Sequence, residues 1–390
     1  MRKFVYFFLA QIIEIISKII PLKKNRIIFS STSCNNFNFN SKYLFLYFLE
    51  KQANLDLLFV IDDKDIREKL INTYGCYFIS STSLSGLWKI SRSSVWVSSV
   101  LETPYLPLYF LKNKKRNILH IGHGVPLKRI ILAEEKIPFL KKINRYFRTR
   151  IFSHVTCYSD TFLEVMKDAF QNNSIEYIRL GQPRNDVLSS FSKYEQLRNI
   201  KNIYPDLPMY DATILYSPTW RPYGAVEFFP FDDLCAEELN EFLIKNKTIL
   251  FLRQHPFYDA VIDESYLKQS HIKMFNSNDF SEIMDYLVFF DKLITDYSSI
   301  YLDFLCLNRP IAFIPYDLDR YSENVGFSIN YQDTTPGKYL YTSMEFYSFL
   351  GVKKDDYESE RKDIAQKINA KNNGNCEENY LFIMSLLKGK

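Results

Sequence analysis

Leu55–Tyr74 reads LDLLFVIDDKDIREKLINTY and changes character once along its length. Leu55–Ile61 is an almost unbroken apolar run of strand length, and Lys64–Tyr74 behind it is helical in pattern. A strand without alternation is buried on both faces, as in a parallel sheet covered by helices. The same signals recur on either side. Arg26–Ser31 (RIIFSS), Cys76–Ser80, Val95–Ser99 and Asn117–Gly122 read as further strands, with a helix at Ser41–Lys51. A second series follows at Ile214–Ser217, Thr248–Arg253, Lys292–Thr295 and Ile311–Ile314.

Strands alternating with helices predict α/β architecture, and 390 residues exceed what one hydrophobic core supports. The expectation is two doubly wound, Rossmann-like domains facing across a cleft, where open α/β sheets bind ligands. Patterning is weakest between Gly181 and Tyr210, a polar stretch holding Pro183, Pro205 and Pro208. The division is therefore set at 1–192 and 193–390. The polar Glu358–Lys390 stretch reads as a helix pair interrupted at Asn373-Gly374, free to cross back to the first domain.

Composition removes several classes. With 47% hydrophobic and 24% charged residues the chain is globular rather than disordered. A net charge of +4, clustered in Lys112–Arg116, Lys128–Arg129 and Lys141–Arg150 without a recognised module, argues against nucleic-acid binding. The six cysteines are isolated and lack zinc-ligand spacing, so they read as reduced thiols. The 28 Tyr and 33 Phe leave core filling, base stacking and a membrane-facing surface all open.

Near the N-terminus the apolar run Phe4–Ala10 is broken by Gln11, Glu14 and Lys18, too early for a spanning helix. It is expected to be an amphipathic helix that lies on a membrane or packs on the body of the protein. Pro138–Phe152 (PFLKKINRYFRTRIF) places Phe139, Leu140, Ile143, Tyr146 and Phe147 on a 3.6-residue stripe, with Lys141, Lys142, Arg145 and Arg148 largely off it. An anionic membrane surface and a core-packed helix with a solvated basic face fit that pattern equally.

Chemistry concentrates in four segments. In LITDYSSIYLDF (Leu293–Phe304) a strand stops at Thr295-Asp296 and a helix opens near Ser298-Ser299. Free amides and two hydroxyls there suit a diphosphate, with Asp303 one turn on in reach of ribose hydroxyls. Ordinary N-capping by Asp296 or Ser298 is the alternative. In NILHIGHGVPLKR (Asn117–Arg129), His123 is flanked by Gly122 and Gly124 and stands at a strand end, where a general base is useful. His120 reads as a core histidine, and Lys128 and Gly124 as contacts for phosphate or acceptor. YSPTWR (Tyr216–Arg221) offers Thr219 and Arg221, and RQHP (Arg253–Pro256) puts Arg253 and His255 on one side of a strand to converge on an anion. Pairing of Arg221 and Arg253 with acids such as Asp232 or Glu282 is equally open. Asp62-Asp63 and Asp317–Asp319 lack a third ligand, so neither metal nor cofactor is expected.

In this order the segments resemble the CDP-glycerol glycerophosphotransferase family. The match takes in His123–Lys128, Gly181–Asp186 (GQPRND), Tyr216–Arg221, Arg253–Pro256, Leu293–Tyr321 and Pro336-Gly337. Val125 departs from it, standing where the family often has Thr. The resemblance implies a GT-B type fold and peripheral attachment at the cytoplasmic face of the membrane. It implies transfer of glycerol phosphate or ribitol phosphate from CDP-glycerol or CDP-ribitol to a lipid-linked or saccharide acceptor in teichoic acid or capsule synthesis. The first domain would then serve the acceptor and membrane, and the second the donor. His123 would be the base and His255 a phosphate-contacting or acid residue. A nucleotide-sugar glycosyltransferase and a non-catalytic nucleotide-binding protein are the alternatives, and homo-oligomerisation is left open.

Overall fold

The computed structural model describes residues 2–51, 54–108, 110–190, 192–254 and 260–388. The chain divides into two compact units. The first holds Met1–Val125, Ile130–Asp186 and Gly374–Lys390, and the second holds Pro126–Arg129 and Val187–Asn373. The chain thus passes between units four times, at Val125/Pro126, Arg129/Ile130, Asp186/Val187 and Asn373/Gly374.

In the first unit, seven strands form one parallel sheet: β1 (Lys23–Ser30), β2 (Asp56–Val60), β3 (Phe78–Ile79), β4 (Ser93–Ser98), β5 (Asn117–His120), β6 (His154–Thr156) and β7 (Glu176–Ile178). Their order is β3-β2-β1-β4-β5-β6-β7. The second unit contributes β8 (Ala212–Tyr216), the short pair β9 (Val226–Glu227) and β11 (Ala260–Val261), and β10 (Thr248–Leu252), β12 (Ile272–Met274), β13 (Lys292–Thr295), β14 (Ile311–Phe313) and β15 (Lys338–Tyr339). Its six-stranded sheet runs β12-β10-β8-β13-β14-β15, again all parallel. Both sheets start near the middle and reverse direction once, which is the doubly wound order and gives the chain a GT-B type α/β fold. The reversal lies between β1 and β4 in the first unit and between β8 and β13 in the second.

Local chemistry explains the elements. Asp62 and Asp63, which superficially resemble a metal motif, end β2 and start the helix Lys64–Tyr74. Asp63 accepts from the Ile66 amide at 2.9 Å as an N-cap, while Asp62 accepts from the Ser81 amide at 2.6 Å. Much of the aromatic content fills the core. Phe29, Phe45, Phe48, Phe59 and Phe78 are buried and meet largely edge to face around β1 and β2. Strands β3, β7, β12 and β15 are only two or three residues long. That is too short for a periodic signal, and Cys76–Ser80 accordingly shrinks to Phe78–Ile79.

Asp186, at the end of the GQPRND segment, binds the returning chain. Its carboxylate accepts from the amides of Asn375 and Cys376 at 3.1 and 2.7 Å and from Asn375 Nδ2 at 2.6 Å. A carboxylate set on the exposed amides at the start of the helix Asn375–Lys388 complements that end of its dipole.

The helix Arg2–Ser17 is inverted relative to ordinary surface helices. Gln11, Glu14 and Ser17 are buried, while Phe8, Ile12, Ile15 and Ile16 are exposed. Glu14 is fully buried with Arg116 and pairs with it at 2.7 Å. The same carboxylate accepts from Tyr105 Oη and the Asn113 amide, each at 2.8 Å. The helix is fixed to the first unit by its polar face, and its apolar face looks outward. The helix Phe139–Thr149 is exposed on both faces: Phe139, Leu140, Tyr146 and Phe147 project outward alongside Lys141 and Lys142. Its apolar stripe is therefore not packed into the core of its unit.

Candidate active site

In the first unit the chain leaves β5 through Ile121 and turns at Gly122 and Gly124, both at positive φ (68° and 151°). Side chains are excluded there. A Cβ on Gly122 would fall 1.7 Å from the Tyr158 hydroxyl, and one on Gly124 would fall 2.9 Å from an Arg184 guanidinium nitrogen. Between these glycines His123 is exposed at the surface of its unit. Its Nδ1 lies 3.2 Å from the Ser99 carbonyl oxygen, just past the end of β4. A carbonyl can only accept, so Nδ1 carries the proton and Nε2 keeps its lone pair. Although one side of the ring is open, neighbouring protein partly desolvates it, and the Arg184 guanidinium adds to this, so the imidazole is held below its ordinary pKa. His120 is buried edge-on against Phe152 and Phe170, and burial pulls it down to about 3, as a core histidine.

The second unit gathers Lys128, Thr219, Arg221 and Asp296 at its switch point, where β8 and β13 diverge. Asp296, one residue beyond β13, is buried and accepts from the Thr219 amide, three residues beyond β8, at 2.8 Å. Thr219 Oγ1 in turn receives the Lys128 ammonium at 2.6 Å. Lys128 belongs to Pro126–Arg129, which is bound into this unit by the Ser328 amide on the Leu127 carbonyl (2.9 Å) and the Arg129 amide on the Gly326 carbonyl (3.3 Å). The ammonium also lies over the rings of Trp220 and Tyr321, and burial pulls it down to about 8. One short motif therefore supplies His123 to the first unit and Lys128 to the second.

Arg221 is enclosed. Its Nε and Nη2 donate to the two oxygens of Asp317 at 2.8 and 2.9 Å, and Nη1 donates to the Thr219 carbonyl at 2.8 Å and approaches Asp296 Oδ2 at 2.9 Å. The rings of Tyr297, Tyr316 and Tyr321 surround the guanidinium at about 5 Å. Burial works against its charge, but Asp296 and Asp317 outweigh that and its pKa is raised. Burial pushes the Asp296 carboxyl up, against the opposing effects of Arg221, the Thr219 amide and Lys128. The partners of Arg221 are thus Asp296 and Asp317, not Asp232, and Asp317 serves in an ion pair rather than a metal motif.

The double serine opens a short element. Ser298 and Ser299 are half-buried, and the helix proper is Ile300–Phe304 followed by a 3₁₀ turn. Ser299 is its N-cap without a side-chain hydrogen bond, Ser298 Oγ is 3.5 Å from the Ile300 amide, and Asp296 points to Thr219 rather than capping. Asp303 is buried within that helix. Arg253 is buried at the end of β10 and donates to the carbonyls of Phe275 and Phe280 at 3.2 and 3.0 Å. His255 lies outside the described residues, so its convergence with Arg253 is not described. Among the described residues no group of three His, Cys, Asp or Glu is gathered as for a metal ion.

Sequence reasoning passed over Asn40, Ser99 and Arg184, all close to His123. Arg184 lay within the GQPRND segment but had no role there, and Asn40 and Ser99 carry no motif at all.

Residues 12–382 match the model of the family described as CDP-glycerol:poly(glycerophosphate) glycerophosphotransferase. A teichoic acid poly(glycerol phosphate) polymerase of Bacillus spizizenii strain W23 is 28% identical over 352 residues, covering 86% of each chain. A polymerase of the same description from Bacillus subtilis strain 168 is also 28% identical, but the match covers 83% of this chain and 43% of that protein. A teichoic acid poly(ribitol-phosphate) polymerase of Bacillus spizizenii is 26% identical over 87% of this chain and 53% of its own length. In fold, the chain is similar to the wall teichoic acid polymerase TagF, with TM-score 0.75 and 22% identity over 97% of this chain and 94% of that one.

Proposed function

The chain belongs to the CDP-glycerol:poly(glycerophosphate) glycerophosphotransferase family, and from that premise we propose that it transfers a polyol phosphate from a CDP-linked donor to a hydroxyl of a teichoic-acid-type acceptor, releasing CMP. The observation that carries this reading is the Lys128–Thr219–Asp296 cluster at the switch point of the second sheet, the position at which doubly wound folds receive nucleotides.

In the reaction, the acceptor oxygen forms a bond to the polyol-bearing phosphorus as the bond to the bridging oxygen breaks. CMP leaves with that electron pair, and the acceptor proton passes to Nε2 of His123. General-base assistance of this kind contributes about 10²–10⁴-fold. The rest is positioning and charge stabilisation, as in other phosphoryl transfers. Lys128, Thr219 and the amides and hydroxyls at Ser298-Ser299 would hold the diphosphate, with His255 as a further contact. The reading gives Arg221 and Arg253 the task of shaping this surface, since their donors already serve Asp317, Asp296 and carbonyls of the same unit. It gives Asp303 no direct contact. In this reading Lys128 and the helix-start amides neutralise the leaving phosphate, and no metal ion is asked for.

Attachment to the cytoplasmic face of a membrane is part of the proposal. Two features support it: the outward apolar face of Arg2–Ser17, and the exposed aromatics and lysines of Phe139–Thr149. No described helix is long and apolar enough to cross a membrane.

Purified protein incubated with CDP-glycerol, CDP-ribitol and a panel of nucleotide-sugars, with acceptors added and product masses recorded, tests the reading. CMP release with a mass gain of one or more polyol phosphates is expected. Turnover of a nucleotide-sugar with neither CDP-polyol used would overturn it.

A further inference from the structure

The start of the helix Phe39–Glu50 addresses His123 through three consecutive residues. Phe39 adopts positive φ (57°), a conformation that non-glycine residues seldom occupy. Its ring lies 5.2 Å from the imidazole. Asn40 is fully buried, and its Nδ2 donates to two successive carbonyls, Ile121 at 3.0 Å and Gly122 at 2.9 Å, while its Oδ1 accepts from the Arg184 amide at 3.1 Å. The next carbonyl, that of His123, accepts from Arg184 Nη1. Ser41, also fully buried, holds the Ser99 hydroxyl through its own amide and hydroxyl, each at 2.8 Å, and it is the Ser99 carbonyl that receives Nδ1–H.

Nothing about folding the helix requires this. Its N-cap position is Asn38, so Asn40 does not cap it. Instead a primary amide sits in the interior with both donors and its acceptor engaged by two loops, which makes its replacement expensive and its geometry specific. We propose that Asn40 is a positioning residue: it fixes the backbone on the N-terminal side of His123, and with Arg184 and Ser99 it sets both the placement of the imidazole and the tautomer that leaves Nε2 free. The inference rests on the reading of His123 as the base.

The test compares Asn40→Ala, the isosteric Asn40→Asp and His123→Ala in the full-length protein. Melting temperature, CDP affinity by calorimetry, and kcat against pH are measured for each. Asn40→Ala is expected to lower kcat by about 10²-fold, the order expected for misplacement near 1 Å. CDP affinity should stay within about twofold, since the proposed donor contacts lie in the other unit. Loss of the Ser99 contact, which favours the protonated ring, should also move the acid limb of kcat to lower pH. A purely structural role would not shift that limb. If Asn40→Ala does not fold, Asn40→Asp is read by kcat and CDP affinity alone, because it keeps the shape and removes the donors while its carboxylate would itself raise the histidine's pKa. Full activity in His123→Ala overturns the base reading and this inference with it. A slow His123→Ala beside an Asn40 variant within about threefold of wild type, with an unmoved acid limb, overturns the positioning role alone. An Asn40 variant that loses CDP affinity as much as kcat does the same.

Discussion

Lys128 Nζ stands 2.6 Å from Thr219 Oγ1, in a setting where burial pulls the ammonium down to about 8. A lysine with a lowered pKa carries its charge below that value and loses it above. If Lys128 meets the donor diphosphate, CDP affinity should be full near neutral pH and fall as pH rises through about 8. Lys128→Ala should weaken CDP binding by about tenfold, the worth of one charge-assisted hydrogen bond. It should also abolish the fall on the alkaline side. Calorimetry with CDP across this range checks both.

His123 should behave as a base that is already neutral at physiological pH. Desolvation and then Arg184 lower its pKa, so the acid limb of kcat/KM belongs below 6.5, the ordinary histidine value. His123→Ala should reduce kcat by about 10²–10⁴-fold with an unchanged melting temperature, since the side chain is exposed in its unit.

Arg221 tests how far the second unit depends on its buried charges. Arg221→Ala would leave Asp317 and Asp296 without their shared guanidinium, and removing one partner of a buried ionic group costs about 3–5 kcal/mol. Arg221→Lys keeps the charge but loses the two-pronged contact to Asp317, so it should recover only part of the loss. Urea denaturation of both variants gives the comparison.

Much of this was legible because it depends on local pattern. The apolar run TILFLR and the helical pattern of Lys64–Tyr74 are long enough to be read, and the helix Lys64–Tyr74 forms over those very residues. The grouping of Thr219 with Asp296 follows from the strand order, which places the ends of β8 and β13 together. The roles of Arg221 and Asn40 were not legible. A guanidinium between two carboxylates and three tyrosine rings looks, in sequence, like one able to bind phosphate. Nor does a buried amide 81 positions from its carbonyl partner announce itself. The orientation of the helix Arg2–Ser17 was not legible for a related reason. Amphipathic pattern predicts two faces but not which one turns inward, and that is decided by Arg116 and Tyr105, about a hundred residues away.

That inversion makes the most direct prediction about membrane attachment. The exposed face carries Phe8, Ile12, Ile15 and Ile16, continued by Ile19, which is 83% exposed, while Glu14 on the opposite side is fixed by Arg116 inside the unit. Each large apolar side chain moved from water into a bilayer interface contributes up to about 1.5–3 kcal/mol. Ile12→Ser combined with Ile15→Ser should therefore weaken binding to anionic vesicles by at least about tenfold, with no loss of melting temperature. Lys141 and Lys142 act through charge, at about 1 kcal/mol each near anionic lipid, so replacing both with Gln should weaken binding to anionic vesicles only, and raised salt should mimic it. Arg116→Met should do the reverse of the isoleucine pair: it strands the Glu14 carboxylate in the interior, lowers stability by about 3–5 kcal/mol, and loosens the helix from the body that presents it. Sedimentation with phosphatidylglycerol and phosphatidylcholine vesicles, alongside thermal melts, separates the three. Undiminished vesicle binding by the isoleucine pair would remove this helix from the membrane surface.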